Sequence, residues 1–141
     1  KDSSIIERVA FASNAFNVLV PFYADVNEIP EYLGNTTGEV STDNFYWSSR
    51  LIAAMADASY RKSIFHIERY QEQVMSRAHE LIGRCDDALA KESDADKRLE
   101  LKQKANQALA DMLKGETAST LDKVLYELSN LMKNAYSRSD A

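Results

Sequence analysis

The stretch IERYQEQVMSRAHELIGRCDDA, residues 67–88, decides the fold of this chain. Alternating steps of four and three separate its stripe residues, which are Ile67, Gln71, Val74, Ala78, Leu81, Cys85 and Ala88. Such spacing keeps one face of a helix against a neighbour, and only Gln71 and the small residues weaken it. The sequence therefore predicts a long helix from about Tyr60 to Ala90 that packs against other helices.

Helical patterns also flank this stretch. A helix is predicted from about Thr42 to Ala56, with Ser41 or Thr42 as its N-cap, because a hydroxyl there can accept a backbone N–H. A break is expected around residues 57–59. On the C-terminal side, residues 91–94 read as a polar connector, with Ser93 or Asp94 as the next cap.

Two more helices are predicted after the connector. The first runs from about Asp94 to Leu113, and Gly115 is expected to end it because glycine commonly follows a helix. Its apolar face comprises Leu101, Ala105, Ala108, Leu109 and Met112. The second restarts at residues 117–119, and its apolar residues are Leu121, Val124, Leu125, Leu128, Leu131, Met132 and Ala135.

The N-terminal part of the chain is unlike the rest. Two short strands are predicted, at residues 5–11 and 15–20, with a turn at Ser13-Asn14 and a stop at Pro21. A turn at residues 27–30 then leads into a brief helical segment, and Gly34 and Gly38 frame a loop. Because a lone two-stranded hairpin is marginal in water, we expect these strands to pair with strands that this chain does not supply.

The predicted fold is therefore mainly α. A short N-terminal β-hairpin or strand segment precedes four helices, the last three long, amphipathic and packed antiparallel. Residues 1–40 form a strand and loop segment that would complete a sheet of a larger protein, and residues 41–141 form a helical region. No proline occurs after Pro30, which permits such long helices.

Composition excludes several classes of protein. The chain has a net charge of −5, and its sequence has no stripe of basic residues that could neutralise phosphates. Both observations argue against nucleic-acid binding. No apolar run approaches the roughly 18 residues of a membrane span. Cys85, the single cysteine, cannot form an internal disulfide and fits a reducing compartment, so a cytoplasmic protein without a membrane partner is expected.

No residue set here has the pattern of a catalytic centre. Cys85 lies on the apolar stripe without a histidine at a matching spacing, so a buried structural thiol is the preferred interpretation. His66 and His79 lack the spacing of a zinc-binding helix. We therefore predict no catalytic residue, no metal ligand and no cofactor within this chain.

Aromatic residues give the candidates for substrate binding, which are Tyr23, Tyr46 and Trp47. Aromatic side chains offer large contact areas, and Tyr and Trp also have a polar tip, so such a cluster can line a ligand pocket. Packing at the junction of strands and helices is the competing interpretation, and the sequence favours it.

Two aromatic motifs resemble a known family. The run at residues 16–23, FNVLVPFY, and the run at residues 40–47, VSTDNFYW, are similar to the C-terminal region of C69 family dipeptidases, of the dipeptidase A type. The similarity extends through Arg50-Leu51-Ile52 and residues 67–71 to residues 136–140, and so covers most of the chain.

The resemblance implies an N-terminal nucleophile hydrolase with a layered αββα core. A cysteine exposed by self-cleavage attacks dipeptides without a metal, and its α-amino group accepts the proton. Residue 1 here is Lys, so no catalytic residue of the family can be placed on this chain. The parent protein would be an enzyme and this chain alone would not.

The partners that follow are the N-terminal catalytic part of the same protein, a dipeptide substrate in the parent enzyme, and further copies in a homo-oligomer. One alternative is a non-enzymatic helical module that binds a protein through its amphipathic stripes. Another is a self-contained ligand-binding domain around Tyr23 and Trp47.

Overall fold

A computed structural model describes residues 6–9, 18–34 and 38–140 of the chain, with side chains at residues 18–34 and 38–135. Its elements, in chain order, are β1 (Ile6–Val9), β2 (Val20–Tyr23), α1 (Glu31–Gly34), α2 (Phe45–Ala58), α3 (Tyr60–Lys91) and α4 (Ala95–Asp140). The predicted fold class is confirmed, since two short strands precede helices of which the last are long and pack on each other.

The strands form an antiparallel pair. Ile6 lies opposite Tyr23, and Val9 lies opposite Val20. The prediction that Pro21 ends a strand was wrong, because β2 runs through it and continues to Tyr23. Proline is tolerated in a strand where its missing N–H would face away from the partner. The predicted turn at residues 13–14 lies outside the described residues.

Asn44, rather than Ser41 or Thr42, caps α2. Its side-chain oxygen accepts the backbone N–H of Trp47 at 2.9 Å, which satisfies one of the unpaired donors in the first helical turn. The Ser41 hydroxyl accepts the N–H of Asp43 instead. The predicted helix therefore begins three residues later, at Phe45.

The predicted break between α2 and α3 is confirmed at Ser59, the one residue between the two helices. Ser59 leaves helical geometry with φ −128° and ψ 37°. Its hydroxyl donates to the Met55 carbonyl at 2.7 Å and contacts the Ser63 hydroxyl at 2.6 Å. These bonds satisfy the hydroxyl groups of Ser59 and Ser63, which are both buried.

Helices α3 and α4 pack antiparallel. Tyr70, early in α3, shares a 2.9 Å hydrogen bond with Thr117, midway along α4. Cys85, late in α3, reaches the backbone oxygen of Leu101, early in α4. Asp94, one of the two predicted caps, caps α4. Its carboxylate accepts the N–H of Lys97 at 3.0 Å.

The two predicted C-terminal helices are one. Helix α4 is 46 residues long and continues through Gly115, so the predicted stop there was wrong. Glycine costs about 1 kcal/mol relative to alanine inside a helix. Burial of Leu113 and Val124 on either side of Gly115 offsets that cost, because both side chains are part of the main hydrophobic core.

The buried face of α4 differs from the predicted one. Most of the predicted residues are only half-buried, namely Leu101, Ala105, Ala108 and Met112, whereas Leu109 is buried. The buried side chains are Lys102, Asn106, Leu109, Ala110, Leu113, Thr117, Thr120 and Val124. Four of these are polar, and this is why apolar periodicity placed the face one position away.

Candidate functional site

The junction of β2 with α3 and α4 holds a set of buried and part-buried polar contacts. We call it the strand anchor and define it by Tyr23, Asp25, Asp86, Lys102 and Asn106. Tyr23 belongs to β2 and Asp25 lies two residues beyond it, Asp86 belongs to α3, and the other two belong to α4. The anchor therefore joins parts of the chain that lie far apart in sequence.

Asn106 holds the backbone of the strand. Its side-chain oxygen accepts the N–H of Tyr23 at 2.8 Å, and its side-chain nitrogen donates to the carbonyl of Tyr23 at 2.8 Å. Asn106 is only 2% exposed, so both bonds lie inside the protein. A primary amide can both donate to the C=O and accept from the N–H of one residue, as a neighbouring strand would.

The side chain of Tyr23 is held on α3. Its hydroxyl donates to a carboxylate oxygen of Asp86 at 2.6 Å, and the ring packs beside Cys85 and Leu89. Burial, and then the hydrogen bond to Asp86, raise the pKa of Tyr23 far above its ordinary value. The phenol therefore stays neutral and serves as a donor.

A charged pair continues the anchor beyond the strand. The ammonium group of Lys102 donates to a carboxylate oxygen of Asp25 at 2.5 Å. Lys102 is buried and Asp25 is partly exposed, so the bond lies at the margin of the core. The next contact, from the N–H of Asn27 to Gln103 at 3.2 Å, is exposed. Burial of these contacts thus decreases as the chain leaves β2.

A second feature is the aromatic face of α2, formed by Tyr46, Trp47 and Arg50. The two rings meet edge to face with centroids 5.1 Å apart. The guanidinium of Arg50 lies over both rings, 5.4 Å from the Tyr46 centroid and 5.7 Å from that of Trp47. Both rings are half-buried, so part of each faces solvent.

The three predicted substrate-binding residues therefore lie in different environments. Tyr23 is 1% exposed and belongs to the strand anchor. Tyr46 and Trp47 contact each other on α2 and keep accessible surface. Their role in substrate binding stays a prediction.

Sequence reasoning missed the other members of the strand anchor. Asn106 and Lys102 are polar residues in helical spacing with buried Leu109 and Leu113, and that continuity was the available signal. Their partners, Tyr23 and Asp25, precede them by 83 and 77 residues. Periodicity along one helix contains no information on such distant pairs.

The thiol of Cys85 is part of the packing. It is buried, and its sulfur lies 3.6 Å from the backbone oxygen of Leu101. Burial raises the pKa of Cys85, which disfavours the thiolate that would act as a nucleophile. Among the residues that the structure describes, no group of three His, Cys, Asp or Glu side chains could hold a metal ion.

The histidines have separate surroundings. His66 shares a 2.8 Å bond with Glu127 across α3 and α4, and His79 is exposed. Beside His66, a groove of about 370 Å³ has side chains of both charges, including Arg69, Glu116 and Lys123. No helix in the described part of the chain is long and apolar enough to cross a membrane.

Comparison with known proteins gives a consistent family. The model of peptidase family C69 matches residues 1–73, which include both strands, α2 and the first part of α3. A protein named probable dipeptidase A from Streptococcus pyogenes serotype M18 is 39% identical over 140 residues, 99% of this chain. A protein named dipeptidase from Bifidobacterium longum is 34% identical over an alignment of 175 residues, 98% of this chain.

A more distant relative extends the comparison. A protein named dipeptidase A from Lactobacillus helveticus is 26% identical over 138 residues, 96% of this chain. The chain spans only 29% of the streptococcal relative and 33% of the bifidobacterial one. Because the family model covers more than half of the residues, including the two aromatic motifs, the chain belongs to peptidase family C69.

Proposed function

We propose that this chain is the C-terminal part of a cysteine-nucleophile dipeptidase and has a structural role in it. The observation that carries the proposal is the mismatch in coverage. Relatives named dipeptidases match 99% and 98% of this chain, yet the chain spans 29% and 33% of them. The remaining length would contain the catalytic part, an N-terminal nucleophile domain.

The structural role rests on the strand anchor. A two-stranded sheet is marginal by itself, and here Asn106 and Asp86 fix β2 against the two long helices. In the parent protein, residues 1–40 would complete a sheet of the catalytic part, and residues 41–141 would form a helical cover. The anchor would hold the two regions together.

The nucleophile would lie outside this chain. Catalysis by an N-terminal cysteine needs an accessible thiolate with the free α-amino group as its base. Cys85 has neither property, because it is buried, its pKa is raised by burial, and it lies inside a helix. Replacement of Cys85 therefore serves as the control when the longer protein is treated with thiol reagents.

An activity assay with thiol reagents tests the proposal. The longer protein should hydrolyse dipeptides in the presence of a metal chelator and lose activity with iodoacetamide, and this chain alone should show no turnover. The Cys85→Ala variant of the longer protein should remain equally sensitive to iodoacetamide. Activity of the isolated chain, or protection by Cys85→Ala, would contradict the proposal.

Substrate contact is proposed for Tyr46 and Trp47 because their rings retain accessible surface. Titrating a dipeptide into the longer protein should change the fluorescence of Trp47, the single tryptophan of this chain. Since the remainder can contain other tryptophans, Trp47→Phe is the matched control and should abolish that part of the response. An unchanged response in Trp47→Phe would remove Trp47 from the site.

A cytoplasmic, homo-oligomeric enzyme is the form that we propose. The single buried thiol fits a reducing compartment. Self-association is supported by apolar side chains that stay exposed late in α4, among them Leu125 and Met132. Cell fractionation tests the cytoplasmic location. Self-association is tested by the sedimenting mass of variants in which Leu125 and Met132 are replaced.

The same exposed side chains favour the second candidate function, a helical module that binds another protein without catalysis. The two proposals differ in what precedes Lys1. A processing site followed by cysteine would be present in a dipeptidase and has no place in an interaction module.

A further inference from the structure

The two edges of the β1–β2 sheet have different backbone geometry. In an antiparallel pair the N–H and C=O of one residue point to the same side, and successive residues alternate. Both groups of Tyr23 bond to Asn106, so they point away from β1. Pro21, two residues earlier, has the same orientation and has no N–H to offer.

The outer edge of β2 is therefore closed to a further strand. Regular pairing there would need the N–H groups of residues 21 and 23, of which one does not exist and the other is bonded to α4. Proline and a covering element are two ways in which proteins block a sheet edge. Here both occur within four residues.

The outer edge of β1 has the opposite character. Ile6 lies opposite Tyr23 and Arg8 lies opposite Pro21, so the backbone groups of Ile6 and Arg8 also point away from the partner strand. Glu7 and Val9 then face β2. The strand contains no proline, and within the described residues β1 contacts no element other than β2.

We infer that the outer edge of β1 pairs with a strand from the remainder of the longer protein, and that β2 is the terminal strand of that sheet. This inference rests on the proposed function, because it takes the relatives' extra length as the source of the partner. The chain spans 29% of the streptococcal relative, and the family match begins at residue 1 and includes β1. A strand is the partner whose backbone groups match an open edge.

Hydrogen exchange of single amides in the longer protein tests the inference. The N–H groups of Glu7 and Val9 should be protected by β2. Those of Ile6 and Arg8 should also be protected, by at least about 100-fold over an unfolded peptide, as in other paired strands. Rapid exchange at Ile6 and Arg8 beside protected Glu7 and Val9 would overturn the inference.

Proline substitutions give a second measurement with a matched control. Val9→Pro removes an N–H that faces β2 and should lower the melting temperature in any case. Arg8→Pro removes only an outward N–H, so it should lower the melting temperature by a similar amount if a further strand is paired there. An Arg8→Pro variant that melts with the wild type would overturn the inference.

Three other outcomes separate the alternatives. Protection of Ile6 and Arg8 that appears only as protein concentration rises would identify a second copy as the partner and overturn the assigned occupant. A longer protein that hydrolyses dipeptides but leaves both amides unprotected would overturn the edge assignment alone. Protected amides without dipeptide hydrolysis would support the edge assignment and overturn the proposed activity.

Discussion

Asn106 is the residue on which the attachment of β2 most depends. In Asn106→Ala both backbone groups of Tyr23 lose their partner in a buried site, at about 1 to 3 kcal/mol for each unsatisfied group. We expect a clear fall in the free energy of unfolding, measured by urea titration. Gln103→Ala is the control, because that amide holds the backbone of Asn27 at an exposed position. Equal effects of the two substitutions would contradict this account.

The phenol of Tyr23 predicts a loss of stability in alkaline solution. Burial raises its pKa first, and the bond to Asp86 adds to the shift. Its stabilising contribution is therefore complete below the ordinary tyrosine pKa of about 10 and is lost as pH rises above it, by about 1.4 kcal/mol per pH unit. Burial raises the pKa of Tyr32 and of Tyr70 as well, so all three tyrosines contribute to the slope.

Urea titrations from pH 9 to pH 11 measure that slope. Tyr23→Phe should make it shallower, by about half a proton at pH 10 and approaching one proton at pH 11, because phenylalanine cannot ionise. Tyr126→Phe, at an exposed position, controls for the loss of a tyrosine elsewhere. A slope in Tyr23→Phe equal to that of the wild type would contradict the assignment.

Among the elements, α3 was the most predictable from sequence. The stripe that includes Ile67, Val74 and Cys85 is buried as predicted, since a helix packs the face that its apolar spacing defines. The strand anchor was not predictable, because Lys102 and Asn106 look like surface residues until their distant partners are known. Pro21 and Gly115 misled for a related reason. Local preference is weak compared with tertiary contacts.

Gly115 allows a test of the continuous α4. The helix has negative φ there, and a Cβ added at Gly115 would meet no atom within 4 Å. Gly115→Ala should therefore raise the free energy of unfolding by about 0.5 to 1 kcal/mol. Gly83→Ala, which has equal space in α3, should behave alike. Destabilisation by Gly115→Ala alone would show that the helix bends or ends at that residue.

At the scale of the whole molecule, the exposed stripe late in α4 predicts self-association. Leu125 is 48% exposed and Met132 is 63% exposed, and steps of three and four through Leu128 place them on one face. Leu125→Ser with Met132→Ser should reduce the sedimenting mass to that of a monomer. Met75→Ser, at a site 64% exposed on α3, should leave the mass unchanged. An unchanged mass in the double variant would exclude this face as the interface.

Because α4 is one unbroken helix, a small change of its angle at the strand displaces its distal end by a large distance. Asn106 and Met132 are 132 − 106 = 26 residues apart on one helix, which corresponds to about 39 Å along its axis. A tilt of about 10° at the strand would displace the distal tip by roughly 7 Å at that radius. If two subunits associate through the distal parts of α4, the length of the helix sets the distance between their sheets. A small rotation at either sheet would then produce a large displacement at the interface.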